Sequence, residues 1–105
     1  MADDNPFDHH AIDEVIHGRI RLGVVAYLSA VDHALFGELR DKVGATDGNL
    51  SVHLRKLEDA GYVAISKRFA NRRPQTRLSL TATGRAAWSV WLHRIDLLTN
   101  AANGG

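Results

Sequence analysis

Cysteine is absent from this sequence, proline occurs twice and methionine once. Without thiols there is no disulfide scaffold, no thiolate metal site and no cysteine nucleophile. The composition suits a reducing cytosol. No apolar run approaches the roughly 20 residues that a membrane-spanning helix needs. The first ten residues, MADDNPFDHH, are acidic where a secretory leader would open basic and then turn apolar. The expected location is the cytoplasm, with no membrane partner.

Charge of one sign is missing from two stretches. Residues 1–14 hold Asp3, Asp4, Asp8, Asp13 and Glu14 but no Lys or Arg. Residues 67–77, KRFANRRPQTR, hold Lys67, Arg68, Arg72, Arg73 and Arg77 but no acid. With a formal net charge of only +1, this pattern points to one local surface for a polyanion, since a generally sticky protein would be basic throughout. A solvated loop kept charged for solubility is the plainer reading of the same block.

What is present supports one small domain. The chain has 105 residues, 45% of them hydrophobic, enough for a modest core that a second subunit would help to cover. The expected layout is a disordered N-terminus at 1–8, a single domain at 9–100 and a disordered tail at 101–105. Ile12, Val15 and Ile16 mark one face of a short helix over 9–17, which Gly18 interrupts. A second helix, apolar around much of its girth and therefore central, runs to about Ser29. Val31 or Leu35 offers a very short strand. Phe36, Leu39 and Val43 then give an amphipathic helix that stops at Gly44.

The stretch VGATDGNLSVHLRKLEDAGYV, residues 43–63, follows at once. Thr46 or Asp47 caps a helix whose Leu50, Leu54 and Leu57 form one apolar stripe, and Gly61 ends it in a left-handed conformation. Its other side carries Gly48, Asn49, Ser51, Val52, Arg55 and Lys56, a small, polar, basic surface. Such a surface suits a helix inserted between phosphates to reach base edges, although a solvated face would look similar. Two short helices joined this tightly form a helix-turn-helix, over 35–60.

After Gly61 the period changes to two. Residues 62–67 and the run RLSL at 77–80 predict a two-stranded hairpin over 62–80, with FANRRPQT as a projecting basic loop and Pro74 limiting pairing near its tip. Thr81 caps a final helix over 82–100. On it Trp88, Trp91, Ile95 and Leu98 step by 3, 4 and 3, a heptad-like seam with more apolar surface than a small domain covers alone.

The order helix, helix, helix-turn-helix, two-stranded wing, long helix resembles the winged-helix regulators of the MarR and ArsR type, and most closely a short MarR-like branch. The resemblance covers about His17 to Leu92. It rests on TDGNLSVHLRKLEDAGYV at 46–63, KRFANRRPQT at 67–76, LTATGR at 80–85 and HGRIRLGVV at 17–25. It implies a mainly α fold with a small β-hairpin, dimeric through its terminal helices, and sequence-specific binding of double-stranded DNA as a regulator, in all a repressor on a palindromic operator. Carried over by resemblance, Thr46, Asp47, Asn49, Ser51, Val52 and Arg55 face the major groove. His53 and Lys56 touch the backbone at its margins, and Asp47 serves as a cap or a cytosine reader. Lys67, Arg68, Arg72, Arg73 and Arg77 supply wing contacts to phosphates or the minor groove. The homodimer interface implied is Ile12, Val15 and Ile16 with Trp88, Trp91, Ile95 and Leu98.

Other chemistry finds less support. His9, His10, Asp13 and His17, or His93 with Asp96, invite comparison with metal-responsive ArsR sensors, but the cysteine motif of those sensors is missing, so no metal or cofactor is expected. No Gly-rich phosphate loop and no nucleophile elbow is present, so no enzyme is expected. Trp88, Trp91, Tyr27 and Phe7 could line a pocket for an unidentified small-molecule effector, as in aromatic-acid sensors of the MarR type. A stripe at helical spacing is more simply core or interface. A winged helix used as a protein-binding module is the remaining alternative, and the five cations of the wing argue against it.

Overall fold

The computed structural model describes residues 5–104. In chain order these form a short 3₁₀ turn at His9–Ala11, α1 (Arg19–Ser29), β1 (Ala34–Leu35), α2 (Phe36–Val43), α3 (Asp47–Asp59), β2 (Val63–Ala70), β3 (Arg73–Leu80) and α4 (Ala82–Ala102). The strands make one antiparallel sheet in the order β1-β3-β2. Four helices and a small three-stranded sheet with a long hairpin constitute a winged helix.

α1 is central, as its all-round apolar character requires: it packs against α2, α3, α4 and β3. Val24, Val25 and Leu28 are its fully buried residues. They meet Leu39 of α2, the Leu50, Leu54 and Leu57 stripe of α3, and Val63, Leu78 and Leu80 of the sheet in one core. Each such side chain contributes about 1.5–3 kcal/mol on burial. Gly44 caps α2 at φ 68°, and Gly61 turns the chain out of α3 at φ 80°. Both positions favour glycine because a Cβ is strained there.

Three local expectations need correction. The helix expected over 9–17 is absent beyond the 3₁₀ turn. The Asp8 side chain accepts from the His10 amide, and Asp13 Oδ1 accepts from the amides of Val15 at 2.8 Å and Ile16 at 3.4 Å. Aspartates that satisfy nearby backbone donors in this way favour turns over helix. Of the N-terminal stretch expected to be disordered, residues 1–4 lie outside the described residues; Asn5 to Asp8 form a turn closed by the Asp8 amide on the Asn5 carbonyl. At the other end α4 continues to Ala102, past the expected end at residue 100 and into the stretch assigned to the tail, whose last residue, 105, is outside those described.

The third correction concerns the hairpin. It is not a short ladder with a loose basic loop but pairs continuously from Val63↔Leu80 to Ala70↔Arg73, with only Asn71 and Arg72 in the turn. Pro74 does not stop the pairing. In an antiparallel ladder hydrogen-bonded and non-bonded pairs alternate, and the pair next to a two-residue turn is bonded. Pro74, opposite Phe69, falls in the next, non-bonded pair, where its missing N–H faces away from β2.

Candidate nucleic-acid interface

Helix α3 begins with Thr46, whose Oγ1 accepts from the Asn49 amide at 3.2 Å. Thr46 is thereby the cap, and Asp47 is committed elsewhere. The Arg40 guanidinium of α2 donates to Asp47 at 2.8 Å and to Asp41 at 3.0 Å, which raises the Arg40 pKa chiefly through the bond to Asp47. This ion pair spans the turn and helps to set the angle between the two helices. Because Asp47 is exposed and Arg40 only half-buried, its contribution to stability is small.

With Leu50, Leu54 and Leu57 turned inward, Asn49, Ser51, Val52, Arg55 and Lys56 are all exposed. Val52 lies near the middle of this face and is 55% exposed. It offers an apolar contact of the kind that suits a thymine methyl. His53 does not share this face. It is half-buried on the flank toward α1, its Nδ1 is enclosed, and burial, with Arg21 and Lys56 nearby, lowers its pKa. Its charged form is thereby disfavoured, which makes it a weaker partner for phosphate than the exposed cations beside it. The acids Glu58 and Asp59 occupy the exposed C-terminal end of α3. The positive helix N-terminus lies at the other end, and Arg55 and Lys56 stand between the middle of α3 and those acids.

The wing is two-faced. Strand alternation places Val63, Ile65, Lys67 and Phe69 on the face toward the core, together with Leu80, Leu78, Thr76 and Pro74 from β3. The opposite face carries Arg68 across from Gln75, Arg73 across from Ala70 and Arg77 across from Ser66. Lys67, Arg68, Arg72 and Arg73 are exposed; Arg77 is half-buried near the base, where β3 also pairs with Leu35. At the turn Asn71 has φ 52° and Arg72 φ 66°. Two consecutive left-handed residues match the twist of a hairpin, but the second position is normally glycine.

Between α3 and the wing runs an open cleft of about 660 Å³, lined among others by Ser51, Arg55 and Glu58 on one side and Lys67 and Thr76 on the other. The structure therefore brings Ser51, Arg55 and Lys67 to one place. Sequence reasoning assigned no role to Phe69, which is 75% exposed at the wing tip. The only signal for it was the period of two continuing outward from Val63 and Ile65.

The residues expected at a subunit interface are largely used within the chain. Ile16 is fully buried and Trp91 is 9% exposed in the chain's own core. Ile12, Val15, Trp88 and Ile95 pack against that core in part. Trp88 stacks on Trp91 at 5.3 Å, and His17 lies against Trp91 at 6.2 Å. Of the seam read from the sequence, Trp88, Trp91 and Ile95 thus lie toward the chain's own core, because a stripe at helical spacing goes first to the nearest core, while Leu98, further along α4, is half-buried. The apolar residues α4 exposes are Val90, Leu92 and Leu97.

The aromatic set proposed for an effector pocket does not converge either. Phe7 is 58% exposed, and Tyr27 bonds to Glu38 of α2. The cleft beside α1 is lined by His9, Ile12, Glu14, Val15, His17 and Arg21. Among the described residues no three His, Asp or Glu side chains come together as a metal site would need. No helix among them is long and apolar enough to cross a membrane.

Comparison with known proteins agrees with this geometry. The family model described as winged helix DNA-binding domain matches residues 20–98. An uncharacterised protein of Methanocaldococcus jannaschii is 32% identical over 82 residues, covering 78% of this chain and 89% of that one. Among solved structures, a transcriptional regulator homologue from Pyrococcus horikoshii superposes with a TM-score of 0.80 at 26% identity, covering 92% of both chains. A MarR-family regulator from Enterococcus faecalis shares the fold, with a TM-score of 0.76 at 23% identity over 99% of this chain and 93% of that one.

Proposed function

The chain belongs to the winged helix DNA-binding domain family, and from that premise we propose that it is a homodimeric transcriptional regulator that reads double-stranded DNA, acting as a repressor. The observation that carries the proposal is the pairing of two surfaces on one cleft. The exposed face of α3 presents Asn49, Ser51, Val52 and Arg55, of which Ser51 and Arg55 line the cleft, and across it stands Lys67 of a hairpin that is rich in arginine and free of acid. Asn49 pairs with adenine, Arg55 with guanine and Val52 with a thymine methyl. Arg68, Arg72 and Arg73 hold phosphates or the narrow minor groove.

Two copies related by a two-fold axis, meeting through α4 and the segment before α1, set two α3 helices about one turn of DNA apart on a palindrome. Repression needs only occupancy of the promoter by such a dimer. A protein-binding winged helix is the weaker reading, since it has no use for so many exposed guanidinium groups on one hairpin.

The test is a paired comparison of Arg73→Ala and Arg55→Ala on a duplex selected from a random pool and on an unselected one. Arg73→Ala lowers affinity for both evenly, whereas Arg55→Ala loses roughly tenfold or more on the selected duplex and little on the other. Equal losses from both variants on both duplexes would refute the assignment of roles.

A further inference from the structure

Phe69 is the most exposed large apolar side chain of the described residues, at 75%. A single exposed apolar residue needs no explanation by itself, but its setting here is specific. It extends the inward stripe of Val63 and Ile65 beyond the core, to the last pairs before the turn. The residue directly opposite is Pro74, also exposed and in the non-bonded pair, where facing side chains lie closest. The two form a small apolar knob on the side of the wing that faces α3. On the same face the next residue inward along β2 is the exposed Lys67, Arg72 follows in the turn, Arg68 and Arg73 are exposed on the reverse of the same strands, and residues 67–77 contain no acid. A protein partner with an apolar pocket would have to desolvate Lys67 and Arg72 to enclose the knob. A polyanion with an apolar interior neutralises them as it approaches, and stacked bases between two phosphate chains have that character.

Resting on the DNA-binding reading above, we propose that Phe69, backed by Pro74, is a wedge that enters the minor groove beneath the wing and presses into a base step. The arginines hold the two phosphate chains while the ring partly unstacks the step and bends the duplex. Pyrimidine–purine steps unstack most easily, so the wing selects such a step at a fixed distance from the bases that α3 reads. Specificity thereby arises at a position with no hydrogen-bonded base contact. Because Phe69 packs on little of its own chain, its removal leaves the fold and the charges of the wing in place.

The experiment selects duplexes from a random pool with the wild-type chain and with Phe69→Ala, and then places 2-aminopurine at the enriched step. The wild type is expected to enrich TA or CA at that position and to raise 2-aminopurine fluorescence about twofold on binding. Phe69→Ala is expected to lose both and to bind roughly tenfold more weakly there, with an unchanged salt slope. Phe69→Leu, which keeps an apolar wedge, retains the preference. Identical selected pools and identical fluorescence for wild type and Phe69→Ala would overturn the wedge alone. A reduced salt slope in Phe69→Ala would also overturn it, by showing that the ring only shapes the hairpin for its arginines. Failure of the wild type to enrich any duplex would overturn the DNA-binding reading and the wedge with it.

Discussion

The phenolic hydroxyl of Tyr62 donates to the Asp13 carboxylate across 2.6 Å, joining two segments 49 residues apart. Tyr62 stands where α3 ends and the wing begins, and its carbonyl accepts from the Thr81 amide at 2.9 Å just before α4. Gly84 allows this approach, because a Cβ there would lie 2.2 Å from the same carbonyl oxygen. One residue thus ties the segment before α1, the base of the wing and the start of α4 together. The bond to Asp13, and then burial, push the Tyr62 pKa from 10.0 up to about 12. The neutral phenol is the form the fold favours, so this stabilisation is complete below pH 10.0 and is lost as pH rises toward about 12. Absorbance titration of tyrosinate is expected to show Tyr62 ionising late. Tyr62→Phe should remove that step, leaving only Tyr27, which its bond to Glu38 also raises above 10.0, and should cost about 1 kcal/mol in denaturant unfolding.

Arg72 occupies a left-handed conformation at φ 66° that glycine adopts without strain. A side chain there costs about 1 kcal/mol or more, and backbone strain kept at an exposed tip is a sign of use. Arg72→Gly is therefore expected to leave stability unchanged or raise it by up to about 1 kcal/mol, offset in part by the freer unfolded chain. It should at the same time weaken binding to every duplex and flatten the salt dependence by about one unit per protomer. Thermal melts and duplex titrations on the same preparation check both halves.

Assembly is tested on the exposed side of α4. Val90→Glu combined with Leu97→Glu should yield a folded monomer by sedimentation, with unchanged helical circular dichroism. Trp91 is the wrong place for that experiment. It is 9% exposed within the chain's own core, and truncating such a residue to alanine costs about 3–5 kcal/mol. Trp91→Ala should lower the unfolding midpoint whether or not the protein dimerises. An unchanged dimer in the Val90/Leu97 double variant would place the interface elsewhere.

The fold was legible where one residue decides a local conformation. Gly44 and Gly61 mark the ends of α2 and α3, Thr46 and Thr81 open α3 and α4, and Leu50, Leu54 and Leu57 identify the face of α3 that faces inward. Competing uses of one residue were not legible. Asp13 could sit on a helix face, but its carboxylate satisfies Val15, Ile16 and Tyr62 and holds a turn. Trp88 and Trp91 have the same spacing in a core as in a subunit seam, and only the path of α4 over α1 decides between them. His53 looked like part of a polar face, yet the helical angle turns it toward Arg21. In the wing, charge drew notice to the arginines and away from Phe69, whose exposure depends on how far the hairpin projects beyond the core.

The most direct test of the central claim is the affinity of the purified chain for duplex DNA as a function of salt. Lys67, Arg68, Arg72 and Arg73 are exposed on each wing. Placed on phosphates by both protomers, these cations predict a log–log slope of about −7, since each released counterion contributes about 0.9. A slope near that value, falling toward about −3.5 when Arg72 and Arg73 are both replaced by alanine, is the result this account requires. Binding that is indifferent to salt, or absent at low salt, would contradict it.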